Sequence, residues 1–195
     1  MNIWNLKAPS YHRLRTLPIV GRILCHEKRK LAALLCQVEV GGIVLDIGTG
    51  AGSTLDLFGE SIPVIGVDRS LAMLRKALRR PRFFGVVGDA VHLPIRSCSV
   101  HAVSAIGLAE YVSDKAALLS EIKRILCPNS WFLVTVSPPG LATTLRQCLG
   151  SRIYPVRGEQ FVSLASEQGF VLINRSQTWL QVQMLFRLED LSQSD

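Results

Sequence analysis

The sequence predicts one α/β domain whose sheet has seven strands and is mostly parallel. Short apolar runs rich in Val and Ile alternate with segments of helical periodicity, a pattern typical of β-α-β units. The last two runs are separated by a polar link too short for a helical crossover, so they should pair antiparallel. With 195 residues and a hydrophobic content of 48%, the chain can build one domain with a full core.

Seven apolar runs are interpreted as strands, and they occupy residues 42–47, 62–67, 83–87, 100–106, 131–136, 170–173 and 182–188. Helical spacing between them predicts helices over residues 71–80, 113–126 and 159–168. The first helix should bury Leu71, Leu74 and Leu78 on one face. Ser113 is predicted to cap the second helix, and Gly169 to end the third. The polar link between the last two strands is assigned to residues 174–178.

Residues 1–40 stand outside this alternation and are interpreted as a helical extension that precedes a core of residues 41–190. The pattern over residues 21–38 is helical, and we expect the extension to lie across the carboxyl edge of the sheet. Its seven basic and two acidic residues supply +5 of the formal net charge of +7. Such a segment can contact nucleic acid or, peripherally, an anionic membrane, although a solvated helix face is the commoner explanation.

Cysteine and histidine usage points away from a disulfide framework and from a metal site. The five cysteines form no C-x-x-C motif, and the four histidines show no ligand spacing, so buried free thiols are expected. No stretch has the ~20 apolar residues of a membrane span, and no secretory apolar segment follows Met1. A cytoplasmic protein is therefore expected.

The most informative motif is the glycine-rich stretch VLDIGTGAGSTL, which includes the end of the first strand and is predicted to open into a helix. Its glycines, Gly48, Gly50 and Gly52, would let a ligand approach the backbone with no Cβ in the way. The pyrophosphate-binding pattern G-x-G-x-x-G would need glycine where this chain has Ser53. Asp46, two residues before the first glycine, suits a ligand with a cationic amino group better than a pyrophosphate.

Two further carboxylates follow predicted strands at the same edge of the sheet. Asp68 ends the second strand, where a carboxylate can accept hydrogen bonds from both hydroxyls of a ribose. Asp89 follows the third strand and can accept from an exocyclic amine such as that of adenine, while the Ala90 N–H can donate to a ring nitrogen. A helix N-cap is the alternative explanation for both carboxylates.

These stretches together resemble the class I S-adenosylmethionine-dependent methyltransferases. The resemblance rests on LDIGTGAG (45–52), GVD (66–68), GDAVHLP (88–94) and a block ending in RILCPNSWFLVTV (124–136), in matching order and spacing. It extends over residues 35–190 and is greatest to the small-molecule branch that includes ubiquinone and menaquinone biosynthesis methyltransferases. The resemblance implies a Rossmann-like sheet with helices on both faces and strand seven inserted antiparallel between strands five and six.

The resemblance also implies S-adenosylmethionine as cofactor and S-adenosylhomocysteine as its product. The glycines would pass under the cofactor, and Asp46 would help to hold its methionine end. Asp68 would bind the ribose, and Asp89 with Ala90 the adenine. The implied cofactor-binding residues are Asp46, Gly48, Thr49, Gly50, Gly52, Asp68, Arg69, Asp89 and Ala90.

The chain departs from the family pattern at two places. The turn before the fifth strand has Asn129 where relatives carry glycine, and asparagine tolerates the positive φ that this turn requires. After the fourth strand, where many relatives carry a Glu-His pair, this chain has Glu110 and Tyr111. Tyrosine is a poor base at neutral pH, so no catalytic base is assigned. Glu110 is either catalytic or a solvated loop residue, and Tyr11 and His12 are speculative candidates.

The sequence thus predicts a methyltransferase that acts on a small, hydrophobic or lipid- or quinone-like acceptor. In-line methyl transfer depends chiefly on positioning and desolvation. Nucleic acid is disfavoured as the acceptor, because no Asn/Asp-Pro-Pro-aromatic motif follows the fourth strand. Two alternatives stay open, namely a non-catalytic binding module with the same fold and a nicotinamide-dependent oxidoreductase.

Overall fold

A seven-stranded sheet forms the centre of the computed structural model, which describes residues 18–39, 41–148 and 152–190. Its strands are β1 (Val44–Ile47), β2 (Val64–Asp68), β3 (Phe83–Val87), β4 (Val100–Ala105), β5 (Leu126–Val136), β6 (Phe170–Gln177) and β7 (Val182–Leu188). They lie in the order β3-β2-β1-β4-β5-β7-β6. The strands from β3 to β5 in this order are parallel, whereas β7 is antiparallel to both β5 and β6. The predicted fold class and the position of strand seven are confirmed.

Helices cover both faces of this sheet. They are α1 (Pro18–Leu35), α2 (Leu71–Ala77), α3 (Lys115–Ile125), α4 (Leu141–Cys148) and α5 (Gly158–Glu167), with two 3-10 helices, η1 (Leu55–Phe58) and η2 (Ala109–Tyr111). On one face, α3 and α5 bury Leu118 and Phe161 against strand residues such as Phe132. Leu133, the next residue along β5, packs with Leu31 of α1 in a separate cluster. Because successive side chains of a strand point to opposite faces, α1 covers the other face.

The helical segments around the glycine loop and α3 differ from the prediction. The helix expected to follow the glycine loop is only the 3-10 helix η1. The N-cap of α3 is Asp114 rather than Ser113, because the Asp114 carboxylate accepts a hydrogen bond from the Ala117 N–H at 2.9 Å. The third predicted helix is α5, and Gly169, with φ of 88°, follows its end as expected.

Two further helices differ from what hydrophobic periodicity in the sequence predicts. In α2, Leu74 is buried as predicted. The expectation is wrong for Leu71 and Leu78, which are the first residue and the C-cap of this short helix and are both about half exposed. The helix α4 follows β5 in a stretch that the sequence analysis assigned to no helix. It is amphipathic, with Thr143 buried and Leu141 exposed.

The strand bounds agree with the prediction to within two residues for β1 to β4 and for β7. β5 instead starts at Leu126, so the predicted turn before it is part of the strand. Asn129 within it has φ of 61°, which confirms that this position needs a positive φ. β6 continues to Gln177, and the link to β7 is therefore the segment 178–181 rather than 174–178.

The described part of the extension, α1, starts three residues before the predicted helix. It packs against β7 on one face of the sheet, so the expectation that it lies across the carboxyl edge is wrong for this helix. Glu27 is buried there and its Oε2 accepts hydrogen bonds from the side-chain amides of Gln181 at 2.8 Å and Gln183 at 2.9 Å. The prediction for the remainder of the extension concerns residues 1–17, which lie outside the described residues.

The cysteines are free, but the expectation that they are buried is wrong. Cys25, Cys36, Cys98 and Cys148 are exposed, and Cys127 is partly exposed. Among the described residues, no group of three or more His, Cys, Asp or Glu side chains is placed to hold a metal ion. Within the same ranges, no helix is long and apolar enough to cross a membrane.

Candidate active site

The residues predicted to bind a cofactor lie where the strand order of the sheet reverses. β1 has β2 on one side and β4 on the other, and ligands of open α/β sheets bind outside the carboxyl ends of strands at such a position. Asp46 lies near the end of β1, Asp68 ends β2, and Asp89 follows β3 by two residues. The fold therefore brings all nine predicted residues to three neighbouring strand ends.

The three glycines of the loop after β1 have positive φ angles of 73°, 52° and 78°, but they serve different purposes. A Cβ on Gly48 would lie 2.8 Å from Leu108, and one on Gly52 would lie 2.8 Å from Leu55, so packing within the protein excludes both. A Cβ on Gly50 would meet no atom closer than 3.6 Å. Gly50 is thus the glycine of these three at which a Cβ would make only ordinary contacts with the protein, so clashes within the protein do not explain its lack of a side chain, whereas close approach of a ligand would.

The Asp68 side chain links this loop to the segment that follows β2. Its Oδ2 accepts a hydrogen bond from the Gly50 N–H at 2.9 Å, and its Oδ1 accepts from the Ser70 N–H at 2.7 Å. The N-cap of α2 is Ser70, whose hydroxyl accepts from the Met73 N–H, so Asp68 is not the helix cap that the alternative explanation required. Each carboxylate oxygen keeps a second lone pair that can accept from a ligand hydroxyl.

Asp46 is buried at the carboxyl end of β1, with only 1% of its surface exposed. Its Oδ1 accepts a hydrogen bond from the Ser104 hydroxyl of β4, whereas its Oδ2 has no partner. Burial raises the pKa of this carboxyl group from 3.8 to about 6, although the neighbouring hydroxyl groups of Ser104 and Thr49 lower it. A cationic group beside Oδ2 would relieve this cost, so the position fits the amino group of an amino-acid ligand.

The third strand end is occupied by an ion pair. Arg69 Nη2 lies 2.6 Å from Asp89 Oδ2, and Asp89 Oδ1 accepts from the Val91 N–H at 3.3 Å. Partial burial raises the pKa of Asp89, but the hydrogen bond and charge of Arg69 outweigh it, and the net pKa is lowered. No helix follows Asp89, so it is not an N-cap either. The Ala90 side chain is buried beside it.

The segment after β4 packs directly on the glycine loop. Leu108 is the side chain that a Cβ on Gly48 would strike, and the Gly107 N–H donates to Thr135 Oγ1 of β5 at 2.7 Å. Glu110 follows in η2 with only 4% of its surface exposed, so the solvated-loop explanation for Glu110 is wrong. Tyr11 and His12, the other candidates for the chemistry, lie outside the described residues.

Arg146 of α4 binds Glu110, and the sequence analysis did not identify it. Its Nη2 donates to Glu110 Oε1 at 2.6 Å and to the Tyr111 hydroxyl at 3.0 Å, and its Nη1 donates to Ser137 Oγ at 3.1 Å. A basic residue on a short amphipathic helix after β5 was the available signal. Sequence reasoning also missed Ser104, which binds Asp46, and the signal there was a polar residue within an apolar strand.

Unpartnered buried atoms are concentrated at this edge of the sheet. Among the described residues, four buried side-chain atoms have no hydrogen-bond partner: Asp46 Oδ2, Thr49 Oγ1, Glu110 Oε2 and Gln183 Oε1. The first three belong to segments at the carboxyl ends of β1 and β4, and Gln183 pairs with Thr135 near the carboxyl end of β5. Buried polar atoms are nearly always hydrogen-bonded, so this edge suits a ligand that supplies the missing partners.

Comparison with known sequences matches residues 45–134 to the methyltransferase-domain family. The chain is 28% identical over 130 residues to the demethylmenaquinone methyltransferase of Paenarthrobacter aurescens, covering 65% of this chain and 50% of that protein. It is 32% identical over 124 residues to the demethylmenaquinone methyltransferase of Roseiflexus sp., covering 60% of this chain and 51% of that protein. The chain spans about half the length of the curated relatives it matches.

Solved structures share the fold at low sequence identity. A possible histamine N-methyltransferase from Thermotoga maritima superposes with a TM-score of 0.78 at 19% identity, covering 96% of this chain and 98% of that one. The geranyl diphosphate C-methyltransferase of Streptomyces coelicolor, solved with S-adenosyl-L-homocysteine, superposes with a TM-score of 0.73 at 15% identity, covering 87% of this chain and 80% of that one. The sequence match over residues 45–134 and the fold shared with these structures support a class I S-adenosylmethionine-dependent methyltransferase.

Proposed function

We propose that this chain binds S-adenosylmethionine at the carboxyl ends of β1, β2 and β3 and transfers its methyl group to a small-molecule acceptor. The observation that carries the proposal is the unpartnered, buried Oδ2 of Asp46, which lies beside a loop where Gly50 lacks a side chain although a Cβ would meet no protein atom closer than 3.6 Å. A buried carboxylate oxygen without a partner is costly, and a ligand ammonium is the partner that best offsets that cost.

The other predicted residues complete the cofactor site in this proposal. Asp68 would accept from the ribose hydroxyls with the lone pairs that the Gly50 and Ser70 N–H groups leave free. Asp89 would accept from the adenine amine, and it would share its carboxylate with Arg69. The bound cofactor supplies a methyl group on a positively charged sulfur, which needs an aligned nucleophile more than it needs an acid or a base.

The acceptor is proposed to be a small hydrophobic molecule, of a lipid or quinone type. The two demethylmenaquinone methyltransferases among the relatives support this class. Leu141 and Leu145 of α4 support it too, because both are largely exposed on the helix that carries Arg146. Peripheral contact of the basic residues 1–40 with a membrane remains part of the proposal, since such an acceptor would reside there.

Two measurements test the proposed function. Calorimetric titration with S-adenosylhomocysteine and with NAD should show binding of the first and none of the second, and the reverse result would favour an oxidoreductase. Radiolabelled methyl groups should then pass from S-adenosylmethionine to a lipid extract. Transfer to RNA alone would contradict the acceptor class, and cofactor binding without any transfer would favour the non-catalytic module.

A further inference from the structure

Strand β3 is an edge of the sheet that lacks the usual protection against pairing with another chain. It is the last strand of the sheet on one side, so no strand of residues 18–39, 41–148 and 152–190 covers its outer edge. Its sequence, FFGVV, has no charged residue and no proline, and its register with β2 has no bulge. The opposite edge strand, β6, has a bulge after Leu172 and carries Arg175. Charges, prolines and bulges are the common ways to block an edge, and β3 has none of them.

Half of the backbone groups of β3 point away from the sheet. The Arg82 carbonyl accepts a hydrogen bond from the Val64 N–H of β2 at 3.0 Å, and the Gly88 N–H donates to the Asp68 carbonyl at 3.2 Å. Alternate residues of a parallel strand bond to the same neighbour, so the even-numbered residues of this segment face β2. The outward N–H and C=O groups therefore belong to Phe83, Gly85 and Val87.

Gly85 lies in the middle of this edge. A Cβ at Gly85 would lie 3.4 Å from Phe83 and 3.5 Å from Leu74, so packing within the protein does not require a glycine here. A glycine inside a strand commonly marks a place where another backbone approaches closely.

Apolar side chains are exposed on both sides of the edge. Leu74 of α2 lies next to Gly85, whereas Ala77 packs at Gly52 of the glycine loop. The residues one turn before and one turn after Leu74 therefore lie on the side of α2 that faces the edge. The apolar side chains around the edge, each 49–60% exposed, are Leu71 and Leu78 of α2 and Phe84 and Val87 of β3.

The surface around this edge is also basic. Residues 69–88 contain six basic residues and no acidic residue. Arg75 is exposed between the two exposed leucines of α2, and the exposed Arg82 directly precedes β3. A second copy of this chain would bring the same cations together, so pairing of β3 with itself is disfavoured. Residues 1–17, with three basic residues and no acidic one, have the wrong charge as well.

We propose that β3 is the docking site for an extended, acidic segment of another protein, which adds to the sheet as a further strand. Its backbone would bond to the outward groups of β3, and its apolar side chains would pack on Leu78 and Phe84. Its carboxylates would pair with Arg75 and Arg82. Strand addition of this kind takes affinity from main-chain hydrogen bonds and selectivity from side chains. None of these residues belongs to the proposed cofactor site, so the proposal does not depend on the proposed function.

The test uses the full chain and two synthetic peptides, acetyl-EEVIVEE-amide and acetyl-KKVIVKK-amide. We expect the acidic peptide to bind about tenfold or more tightly than the basic one in calorimetry, and the difference should shrink as salt is added. NMR hydrogen exchange then locates the peptide. In the complex, the amides of Phe83, Gly85 and Val87 should exchange more slowly, whereas those of Phe84 and Val86, which face β2, should not change.

Gly85→Pro is the sharpest variant, because it removes one outward N–H and no bond to β2, and edge strands tolerate proline at such a position. It should weaken binding of the acidic peptide about tenfold. Gly85→Ala is the matched control, since alanine keeps the N–H, and it should bind the peptide as the wild-type protein does. Should Gly85→Pro fail to fold, Arg75→Glu should lose the preference for the acidic peptide. Its control is Arg29→Glu, on the exposed surface of α1, which should keep it.

The alternative occupants of β3 give different results. The proposal is overturned if the acidic peptide does not slow exchange at the three outward amides, or if Gly85→Pro binds it as tightly as Gly85→Ala. Protection of these amides that rises with protein concentration in the absence of peptide would assign β3 to a second copy and overturn the proposal. Binding of single-stranded RNA that Arg75→Glu abolishes, with no effect of the acidic peptide on the amides, would assign the basic surface to nucleic acid instead.

Discussion

The two halves of the site are built in different ways. The half proposed for the cofactor consists of the residues at the ends of β1, β2 and β3. Two of its side-chain contacts, from Asp68 to Gly50 and from Arg69 to Asp89, join residues 18 and 20 positions apart, and the contact of Ser104 with Asp46 joins residues 58 positions apart. The acceptor half consists of η2, the end of β5 and α4, and Arg146 reaches Glu110 across 36 positions. The first half is complete once β4 is in place, whereas the second depends on α4, a helix that comes later in the chain. Substitutions in one half should therefore leave the other intact.

The largest expected effect comes from Gly50→Val in the cofactor half. A Cβ at this position would lie no closer than 3.6 Å to the protein, so the valine should fit the fold but fill the space of the proposed ligand, and binding of S-adenosylhomocysteine should be lost in calorimetry. The positive φ of 52° should also lower the free energy of unfolding by roughly 1–2 kcal/mol. Gly59→Val is the control, because Gly59 has φ of 67° and open space around it. It should lose similar stability and keep its affinity.

Asp46→Asn should raise the stability of the protein while weakening its binding of the cofactor. The folded protein binds a proton at Asp46 more tightly than the unfolded chain does. Ionisation of Asp46 therefore leaves the free energy of unfolding unchanged below about pH 4, lowers it progressively between about pH 4 and 6, and lowers it by the full amount above about pH 6. A shift from 3.8 to about 6 corresponds to about 3 kcal/mol, an upper figure for the gain in unfolding free energy of the variant at pH 7. Denaturant melts should show a more stable protein whose affinity for S-adenosylhomocysteine is reduced. A variant that is less stable at pH 7 would contradict this account.

The same carboxyl group predicts a pH dependence of binding. Only the ionised form of Asp46 attracts a ligand ammonium, so the affinity for S-adenosylhomocysteine should fall as the pH is lowered through about 6. Titrations at several pH values should show this decrease in the wild-type protein and a flatter profile in Asp46→Asn. An equally steep decrease in both proteins would assign the titration to another group.

Asp68→Ala should have a somewhat smaller effect. It removes the acceptor proposed for the ribose and releases the Gly50 N–H, and we expect binding of S-adenosylhomocysteine to weaken by roughly 1.5–3 kcal/mol. Asp56→Ala is the control, since Asp56 pairs with Lys28 on an exposed surface. Unchanged affinity in Asp68→Ala would show that Asp68 does not bind the ribose.

The smallest effect should come from Ser137→Ala in the acceptor half. It removes one hydrogen bond to Arg146, and the free energy of unfolding should fall by about 0.5–1.5 kcal/mol in denaturant melts. The affinity for S-adenosylhomocysteine should not change. A tenfold loss of that affinity would show that the two halves are coupled, and the comparison above would fail.

The sequence predicts the sheet and the cofactor half well, because both follow from local patterns. Strands buried on both faces appear as continuous apolar runs, and the glycines and carboxylates follow those runs at fixed spacing. The errors concern short elements whose ends depend on individual hydrogen bonds. The choice of Asp114 over Ser113 as the cap of α3, for example, depends on which side chain reaches the Ala117 N–H.

The acceptor half could not be predicted for a different reason. The burial of Glu110 depends on Arg146, and nothing near Glu110 in the sequence indicates that a distant arginine will reach it. Likewise, Gly48 and Gly52 appear equivalent to Gly50 in the motif. Their separate purposes become visible only once Leu108 and Leu55 are packed against them.

The buried contact between α1 and β7 has a consequence for synthesis of the chain. Glu27 accepts hydrogen bonds from Gln181 and Gln183, which lie 154 and 156 positions later. Glu27 leaves the ribosome long before these partners are made, so α1 cannot complete its docking until β7 has been synthesised. We therefore expect α1 to acquire its native protection from hydrogen exchange only after the β6–β7 hairpin has formed.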